Sequence, residues 1–303
     1  MKIGIITCAE HWRDGTSQEP DDRLLLAALG QNARGVVWGD LHTDWSAYDL
    51  CIVRSTWDYH NSREAFLSWA RATAARTALW NPYPVLKWNT DKNYLRDLEQ
   101  RDVPSIPTIW LPAGTRVDLG LTLSALGWQR AVMKPVAGTN SYGVALLSHK
   151  RLEEGQAALD ALLKNRATML QPYYPSVNDY GERSLVFIAN ELTHAFRKRA
   201  AFDDQHPEKA VRPTQNEVQL ARTILREAWR CVGGDGEPVF LFARVDLVRD
   251  EQGTSRLMEL ELTEPRLRLD LSSDALTRLV QAVQFRLPRE TAAPAGGLAS
   301  YGA

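Results

Sequence analysis

The pattern of apolar and polar positions predicts alternating strands and helices in the first part of the chain. Short runs rich in β-branched residues lie at Lys2 to Cys8, Gly35 to Gly39 and Asp49 to Arg54, as expected for buried strands. Apolar residues at helical spacing lie between and after these runs, at Asp21 to Leu29 and Asn61 to Ala75. Because strands and helices alternate, we expect an α/β unit with a parallel sheet of Rossmann-like type.

Two local signals set the limits of this opening unit. Asn61, with Glu64 three residues later, has the form of a capping box and is expected to begin a helix. The prolines of the segment 81–84 are expected to break helical structure. We therefore predict an N-terminal domain at 1–84, followed by a helix from Thr90 to Arg101.

The rest of the chain mixes strands and helices and indicates an α+β organisation. Predicted strands lie at Thr108 to Leu111, Gln129 to Pro135, Gly143 to Leu147 and Ala167 to Gln171, with three more runs before Arg199, and predicted helices lie at Lys150 to Asn165 and Thr214 to Trp229. We predict two subdomains, at 85–166 and 167–290. The Ala/Gly/Pro-rich stretch 291–303 is expected to be a disordered tail.

A segment with unusually placed carboxylates lies near the C-terminus, from Ala243 to Pro265. Two strand-like runs around a polar, glycine-containing turn predict a hairpin. The spacing would set Asp246 opposite Glu259 and Arg244 opposite Glu261, with all four side chains on one face. Two like charges at ~4 Å repel by about 4 kcal/mol at an effective dielectric of ~20, so this face favours a bound cation. An all-oxygen site suits Mg²⁺ with nucleotide phosphates, although an ordinary hairpin with a hydrated, charged face stays open on these residues alone.

Composition narrows the class of protein. With 303 residues, of which 44% are hydrophobic, the chain can bury one large core or several smaller ones. A formal net charge of -1 and the lack of a basic, aromatic-interleaved stripe give no reason to expect a nucleic-acid partner. The N-terminal apolar run is too short for a signal or membrane segment, so we expect a cytoplasmic protein without a membrane partner. Three scattered cysteines and the lack of HExxH spacing argue against a disulfide framework and a zinc site.

A loop of small residues offers a candidate phosphate site. Lys134 ends an apolar strand just before this loop, in which Gly138, Thr139, Ser141 and Gly143 would let backbone N–H groups approach a polyphosphate. The loop has neither Walker nor dinucleotide-binding glycine spacing, so by itself it also fits an ordinary turn.

Two further lysines, Lys92 and Lys198, are solvated surface residues when each is considered alone. Lys92 falls within the predicted helix at 90–101. Strand alternation would separate Lys198 from Arg197 and Arg199 and direct it to a different surface.

The order of these features along the chain resembles the ATP-grasp superfamily. The motifs RSTWDY and KWNTDKNYL, with TCAE, VVW, LWNP and VPSIPT, resemble its D-cycloserine ligase-like branch, which is related to glutathione synthetase and the ribosomal-protein glutamate ligases. The resemblance covers residues 1 to 285. It implies a Rossmann-like N-terminal domain followed by two α+β subdomains that grip ATP between them.

The resemblance also implies a set of ATP-binding residues. They are Lys92 and Lys134 on the phosphates, the loop Gly138 to Gly143 with Thr139 and Ser141, the hinge Gln171, Pro172, Tyr173 and Tyr174 beside adenine, and Glu182 near the nucleotide. Lys198, in HAFRKRA, matches the HAxxKR lysine of the family, which is expected near the transferred phosphate or the acyl phosphate.

The hairpin segment 259–265 resembles the ExNxTSP metal segment of glutathione synthetase, with Glu261 in the place of the usual Asn. The resemblance implies that Glu259 bridges two Mg²⁺ ions, with Asp246 on one and Glu261 on the other. The FRxQ segment and following Gly-Gly pair of the family are absent, and AVRPTQ supplies only Arg212. Substrate choice is therefore open.

The resemblance, together with these residues, implies an ATP-dependent, ADP-forming carboxylate-amine ligase of antibiotic biosynthesis that activates a small amino-acid-like substrate as an acyl phosphate. Ring closure within one molecule and joining of two molecules stay open, as does a homodimer. Arg244 would orient the substrate carboxylate or neutralise Glu261, and the first role is favoured. We expect the substrate near Cys8 to Glu10 and Arg54 to Asp58, at the ends of the first sheet. The alternative is a non-catalytic protein that binds ATP as a regulatory ligand.

Overall fold

The computed structural model describes residues 2–138, 142–198 and 208–286. The predicted loop positions Thr139 and Ser141 and the predicted tail at 291–303 lie outside the described residues. The strands are β1 (Ile3–Thr7), β2 (Trp12–Arg13), β3 (Thr16–Ser17), β4 (Ala33–Val37), β5 (Leu50–Val53), β6 (Ala78–Trp80), β7 (Ile109–Leu111), β8 (Arg130–Pro135), β9 (Ala145–Ser148), β10 (Thr168–Pro172), β11 (Glu182–Ile188), β12 (Glu191–Lys198), β13 (Lys209–Val211), β14 (Phe242–Arg249) and β15 (Ser255–Glu261). The α-helices are α1 (Pro20–Leu29), α2 (Arg63–Ala74), α3 (Tyr83–Asn89), α4 (Tyr94–Glu99), α5 (Leu119–Leu126), α6 (Leu152–Leu163), α7 (Ser176–Asp179), α8 (Gln215–Cys231) and α9 (Ser273–Arg286).

The N-terminal unit contains a four-stranded parallel sheet in the order β4-β1-β5-β6, which confirms the prediction from strand and helix alternation. Strands β1 and β5 are fully buried. Leu25 and Leu29 of α1 join one core with α9, whereas Phe66 and Ala70 of α2 belong to another. The segment after β5, which contains Trp57, starts at the carboxyl end of the sheet, where α/β units commonly bind ligands.

Two predicted helix boundaries in this unit are wrong. The capping box at Asn61 does not form, because Trp57–Asn61 is a 3-10 helix and α2 begins after Ser62 without a side-chain cap. The prolines do not end helical structure, because Pro84 occupies the first turn of α3, where a fixed φ and a missing N–H are tolerated. The helix predicted from Thr90 is therefore the shorter α4, with α3 before it.

The middle of the chain forms a four-stranded antiparallel sheet in the order β7-β10-β8-β9. The predicted pairing of the strands on either side of the small-residue loop is confirmed. Leucines of α5 and α6 pack on this sheet in a separate core. Since β10 pairs with β8, it belongs to the sheet of the central subdomain, and the predicted boundary at 166/167 stays a prediction.

The last sheet is antiparallel, in the order β13-β12-β11-β14-β15, and it carries the predicted hairpin. Arg244 pairs with Glu261 and Asp246 with Glu259, so the predicted register is confirmed where the carboxylates lie. A bulge follows, because Leu247 pairs with Leu257 and Met258 has no opposite residue. Between 174 and 198 the structure has two strands, β11 and β12, after the short helix α7, and not the three predicted runs.

Two buried asparagines, the asparagine clamps, tie the hairpin to the segment after the first sheet. Asn81 donates to Phe242 O at 2.9 Å and to Leu262 O at 2.7 Å. Asn89 donates to Leu260 O at 2.8 Å and accepts from Leu262 N at 2.7 Å. Asn81 also accepts from Leu241 N at 2.7 Å, so each side chain uses both its amide nitrogen and its amide oxygen on backbone groups. These bonds fix the start of β14 and the end of β15.

None of the helices in the described part of the chain combines the length and apolar character needed to cross a membrane.

Candidate active site

A cavity of ≈ 460 Å³ lies where the hairpin, the small-residue loop and the segment after β5 meet. The predicted site residues that line it are Lys92, Lys134, Gly138, Glu182, Lys198, Arg244, Glu259 and Glu261. These residues come from separate segments of the sequence, and those on the hairpin come from alternate positions of its strands. The fold thus brings the predicted lysines and carboxylates to one site.

Lys198, the last residue of β12, bridges two carboxylates. Its Nζ lies 2.9 Å from Glu182 Oε1 and 3.2 Å from Asp246 Oδ2. Burial alone would lower the pKa of Lys198, but the two carboxylates outweigh it and hold the pKa above its usual value. The lysine therefore stays charged at the centre of the cavity wall.

Arg244 neutralises the carboxylates beside it. Its Nε donates to Asp246 Oδ1 at 2.8 Å and its Nη2 to Asp246 Oδ2 at 2.8 Å, and Nη2 also bonds Glu261. Asp246 is fully buried, and although burial raises its pKa, Arg244 and Lys198 hold the pKa well below its usual range. These contacts give Arg244 the neutralising role that was one of its two predicted roles. The predicted contact of Arg244 with the substrate stays a prediction.

The three hairpin carboxylates form a compact group. One oxygen from each of Asp246, Glu259 and Glu261 lies within 4.8 Å of the other two. Burial would raise the pKa of Glu259, but the charges of Lys92, Lys198 and Lys134 keep it below its usual range. Burial raises the pKa of Glu261 to about 7, against the lowering effect of Arg244. The group supplies oxygen donors of the kind that Mg²⁺ prefers.

Lys92 lies in a turn between α3 and α4, so its predicted position on a helix is wrong. Its Nζ donates to Gly138 O at 3.0 Å and pairs with Glu259 Oε1 at 3.0 Å. Its backbone N donates to Val136 O at 2.9 Å. The residue therefore links the small-residue loop to the hairpin carboxylates.

Lys134 differs from the other two lysines. Its side chain lines the cavity but makes no hydrogen bond or ion pair with a residue that the structure describes. Burial lowers the pKa of Lys134, and Glu259 and Glu182 oppose that effect. An anionic ligand would supply the contact that this ammonium lacks.

Two glycines shape the small-residue loop. A side chain at Gly138 would meet Pro135 Cγ at 2.9 Å, and Gly143 adopts a φ of 68°, which favours glycine. The ring of Tyr142, the residue just before Gly143, lies 5.4 Å from the His60 ring, centroid to centroid. The loop thus reaches the N-terminal unit across the cavity.

The predicted hinge residues are not among the residues that line the cavity. Gln171 is buried and donates to Thr108 Oγ1 at 3.0 Å, and Tyr173 donates to Asn178 Oδ1 at 2.8 Å. Tyr173 and Tyr174 pack against the same buried cluster as Met258, which does line the cavity. Contact between this hinge, including Pro172, and adenine stays a prediction.

The predicted substrate region contributes less than expected. Trp57 lines the cavity, whereas Cys8 to Glu10 do not. Arg54 is buried and forms ion pairs with Asp22 at 3.3 Å and Asp21 at 3.8 Å, which neutralise its charge. Arg212 does not line the cavity either.

Sequence reasoning missed a pair of cavity residues, Tyr59 and Glu264. The Tyr59 hydroxyl donates to Glu264 Oε1 at 2.9 Å, and Trp57 Nε1 donates to the Glu264 carbonyl at 3.0 Å. Burial, followed by the charge of Glu261, raises the pKa of Glu264 to about 8. The one available signal was a third glutamate in the segment 259–265, and no periodicity singles it out.

Comparisons with known proteins agree with the fold. A family model for the N-terminal domain of D-cycloserine synthetase DcsG matches residues 3–81. The cycloserine biosynthesis protein DcsG of Streptomyces lavendulae is 31% identical over 274 residues, which cover 86% of this chain and 90% of that protein. The crystal structure of D-cycloserine synthetase DcsG has a TM-score of 0.84 at 28% identity and covers 95% of this chain and 100% of its own.

A more distant structure, D-alanine–D-alanine ligase from Bacillus anthracis complexed with ATP, has a TM-score of 0.66 at 16% identity and covers 94% of this chain and 96% of its own. This likeness shows the fold alone. The predicted resemblance to the D-cycloserine ligase-like branch is confirmed, and an enzyme is favoured over a regulatory ATP-binding protein. The chain has the fold of ATP-grasp structures and belongs to the family of D-cycloserine synthetase DcsG.

Proposed function

We propose that the protein activates the carboxylate of a small amino-acid-like substrate as an acyl phosphate, at the cost of ATP, and then forms an amide bond. The observation that carries this proposal is that Lys92, Lys134 and Lys198 line one cavity with Glu259 and Glu261, which form a compact group with the buried Asp246 behind them. Three cations beside a metal-ligating face suit the transfer of a phosphoryl group between two anions. No Ser or Cys nucleophile is required by such a reaction.

The three lysines would have different roles in binding ATP and in transferring its phosphate. Lys134, which has no partner among the described residues, would bind phosphate oxygens directly. Lys92 would do so from the opposite side of the small-residue loop, which it already contacts at Gly138. Lys198, between Glu182 and Asp246, would stabilise the group in transfer.

Asp246, Glu259 and Glu261 fit Mg²⁺, because they offer a compact all-oxygen donor set and their cationic partners leave further lone pairs free. The ion would neutralise charge on the ATP phosphates. Glu261, in the place of an amide, brings an extra negative charge that Arg244 already offsets in the free protein. The negative charges of these carboxylates would thus be offset both in the free protein and with Mg²⁺ bound.

The chemistry balances without a protein nucleophile. A carboxylate oxygen attacks the γ-phosphorus of ATP, and ADP leaves. A nitrogen then attacks the acyl carbon, phosphate leaves with the original carboxylate oxygen, and the nitrogen loses a proton. Water must be kept out of this step, and the small-residue loop, whose Tyr142 lies near His60, would close the cavity.

Kinship with a cycloserine biosynthesis protein favours a role in antibiotic biosynthesis and ring closure within one molecule. In that reaction both the carboxylate and the attacking nitrogen belong to one substrate. Joining of two molecules would give a product of larger mass from the same chemistry.

The test is an assay of nucleotide products with hydroxylamine as the attacking nitrogen. Purified protein with ATP, Mg²⁺ and a panel of short amino acids should release ADP and phosphate and form a hydroxamate. Release of AMP and pyrophosphate would contradict the acyl phosphate. Once an acid is found, product mass in the absence of hydroxylamine separates ring closure, which loses one water from one molecule, from joining.

A further inference from the structure

Glu264 is a buried carboxylate that faces the cavity without a cation. It is 9% exposed, and Tyr59 is the side chain that bonds it, through Oε1. Its second oxygen, Oε2, makes no hydrogen bond or ion pair with a described residue, and no described cation lies within 4.0 Å of either oxygen. Buried carboxylates are normally paired, so this site lacks a counter-charge.

The backbone around Glu264 is held on both sides. Trp57 Nε1 bonds its carbonyl at 3.0 Å, and the asparagine clamps fix the residues just before it. Beyond it, Asp21 accepts from Leu267 N at 2.7 Å and from Leu269 N at 2.8 Å. The carboxylate is therefore fixed in place and cannot move with its segment to reach a protein cation.

The surroundings exclude two other partners. Arg266, which also lines the cavity, stacks over Trp57 at 4.7 Å and pairs with Glu19 at 3.6 Å. The compact group of metal-ligating carboxylates does not include Glu264. A buried carboxylate that lines the cavity and has an unbonded oxygen suits an organic ammonium ion instead.

We infer that Glu264, oriented by Tyr59, binds an ammonium group of the substrate. The inference rests on the proposed function and narrows its substrate class to zwitterionic amino acids. A nitrogen held as ammonium has no lone pair with which to attack an acyl phosphate. The nitrogen that forms the amide is therefore a second one, and the amino group held by Glu264 survives in the product.

The chain offers a matched control for this pair. Tyr180 donates to Glu217 Oε1 at 2.7 Å, and Glu217, like Glu264, is buried. Glu217, however, caps α8 through Thr214 and does not line the cavity. Glu217→Gln thus makes the same chemical change away from the site.

The experiment measures ADP release in the hydroxylamine assay with a panel of short D- and L-amino acids, each beside the same acid without its amino group. We expect the wild type to prefer the amino acid, and Glu264→Gln to raise its KM by roughly a hundredfold with little change in kcat or ATP affinity. Tyr59→Phe should raise KM by roughly tenfold, since it removes one hydrogen bond to a charged group. Glu217→Gln should keep the wild-type KM.

The outcomes separate the inference from the proposed function. Equal use of amino and des-amino acids, or a wild-type KM in Glu264→Gln while hydroxamate still forms, would overturn the ammonium site. A fall in kcat with unchanged KM would overturn it as well, because it would assign Glu264 to proton transfer. No ADP release by the wild type across the panel would contradict the proposed function itself.

Discussion

On the hairpin side of the cavity every carboxylate has a cation within ion-pair distance, whereas Glu264 on the N-terminal side has no described cation within 4.0 Å. Asp246 contacts Arg244 and Lys198, Glu259 contacts Lys92, and Glu261 contacts Arg244. Glu264 has the hydroxyl of Tyr59. Lys134 is the corresponding case for a positive charge, because it also has no hydrogen-bond or ion-pair partner among the described residues.

The contrast separates two ways in which a site meets its ligand. Where charges are already paired, a ligand must exchange one partner for another, so the same residues stabilise the fold and perform the chemistry. Where a buried charge has no partner, the ligand supplies it, and the residue adds to binding but not to stability. Substitutions at the two kinds of position should therefore differ in their effect on stability as well as on activity.

The largest effect is expected at the paired hairpin carboxylates. Asp246→Ala and Glu259→Ala should each lower kcat/KM by roughly three orders of magnitude or more, because each removes a metal ligand and a neutralising charge. Asp246→Ala should also destabilise the protein by about 3–5 kcal/mol, since it leaves Arg244 buried without its main partner. Turnover at limiting Mg²⁺ and denaturant unfolding check both effects.

The same hairpin supplies a control for that experiment. Asp250 is buried and paired with Arg256 at 2.8 Å, but it does not line the cavity. Asp250→Asn should leave kcat/KM close to that of the wild type. Asp250 also lies outside the compact group of Asp246, Glu259 and Glu261. Unchanged turnover in both Asp246→Ala and Glu259→Ala would remove the metal assignment.

Lys92 and Lys134 allow the most direct comparison between a paired and an unpaired charge in the cavity. Lys92→Ala and Lys134→Ala should each reduce kcat/KM by roughly two to three orders of magnitude. Lys92→Ala should also destabilise the free protein, because it leaves Glu259 without its ion pair at 3.0 Å. Lys134→Ala should leave stability unchanged or raise it, because the charges of Glu259 and Glu182 compensate only part of the cost of burying the lysine charge.

Calorimetry with ATP and thermal unfolding without it would measure the two lysine effects separately. Wild-type ATP affinity together with wild-type rates would remove both lysines from the site. Equal losses of stability would contradict the distinction between paired and unpaired positions.

A smaller effect, on stability, is expected at one of the asparagine clamps. Asn89→Ala leaves the N–H of Leu262 and the carbonyl of Leu260 without their partners at 2.7 and 2.8 Å. Each buried group left unsatisfied costs roughly 1–3 kcal/mol. Urea unfolding should show this loss in the free energy of unfolding. A loss well below roughly 1 kcal/mol would mean that water replaces the side chain.

The smallest effect is a pH-dependent gain in stability at Glu264. Its pKa of about 8 in the folded protein exceeds the ordinary value of 4.5, because of burial and then the charge of Glu261, with Glu259, Lys92 and Tyr59 also facing it. A carboxyl with a raised folded-state pKa costs stability as it ionises, so the penalty is absent below about pH 4.5 and complete above about pH 8. Glu264→Gln should therefore raise Tm by a few degrees at about pH 8 and by less at about pH 5. An equal shift at both pH values would contradict the assigned pKa.

The register of the hairpin followed from sequence, but the position of Glu264 could not. Asp246 and Glu259 pair because the lengths of two strand runs and one turn fix the alignment, although the bulge at Met258 left no sequence signal. The contact between Tyr59 and Glu264 spans 205 positions in the chain, so no local pattern reports it.

Capping boxes show the same limit at short range. Thr214 and Glu217 form one at the start of α8, whereas Asn61 and Glu64 have the required spacing and do not. In the second case the preceding 3-10 helix already includes Asn61. Local spacing decides such a cap only where neighbouring structure leaves the backbone free to form it.

The most direct test of the proposed chemistry follows the carboxylate oxygen. A substrate acid labelled with ¹⁸O in its carboxylate, turned over with ATP and Mg²⁺, should transfer one labelled oxygen to the released phosphate while ADP accumulates. Mass spectrometry of the phosphate reads the label. Labelled phosphate in step with ADP is the result that an acyl phosphate predicts, whereas unlabelled phosphate, or label in AMP, would contradict it.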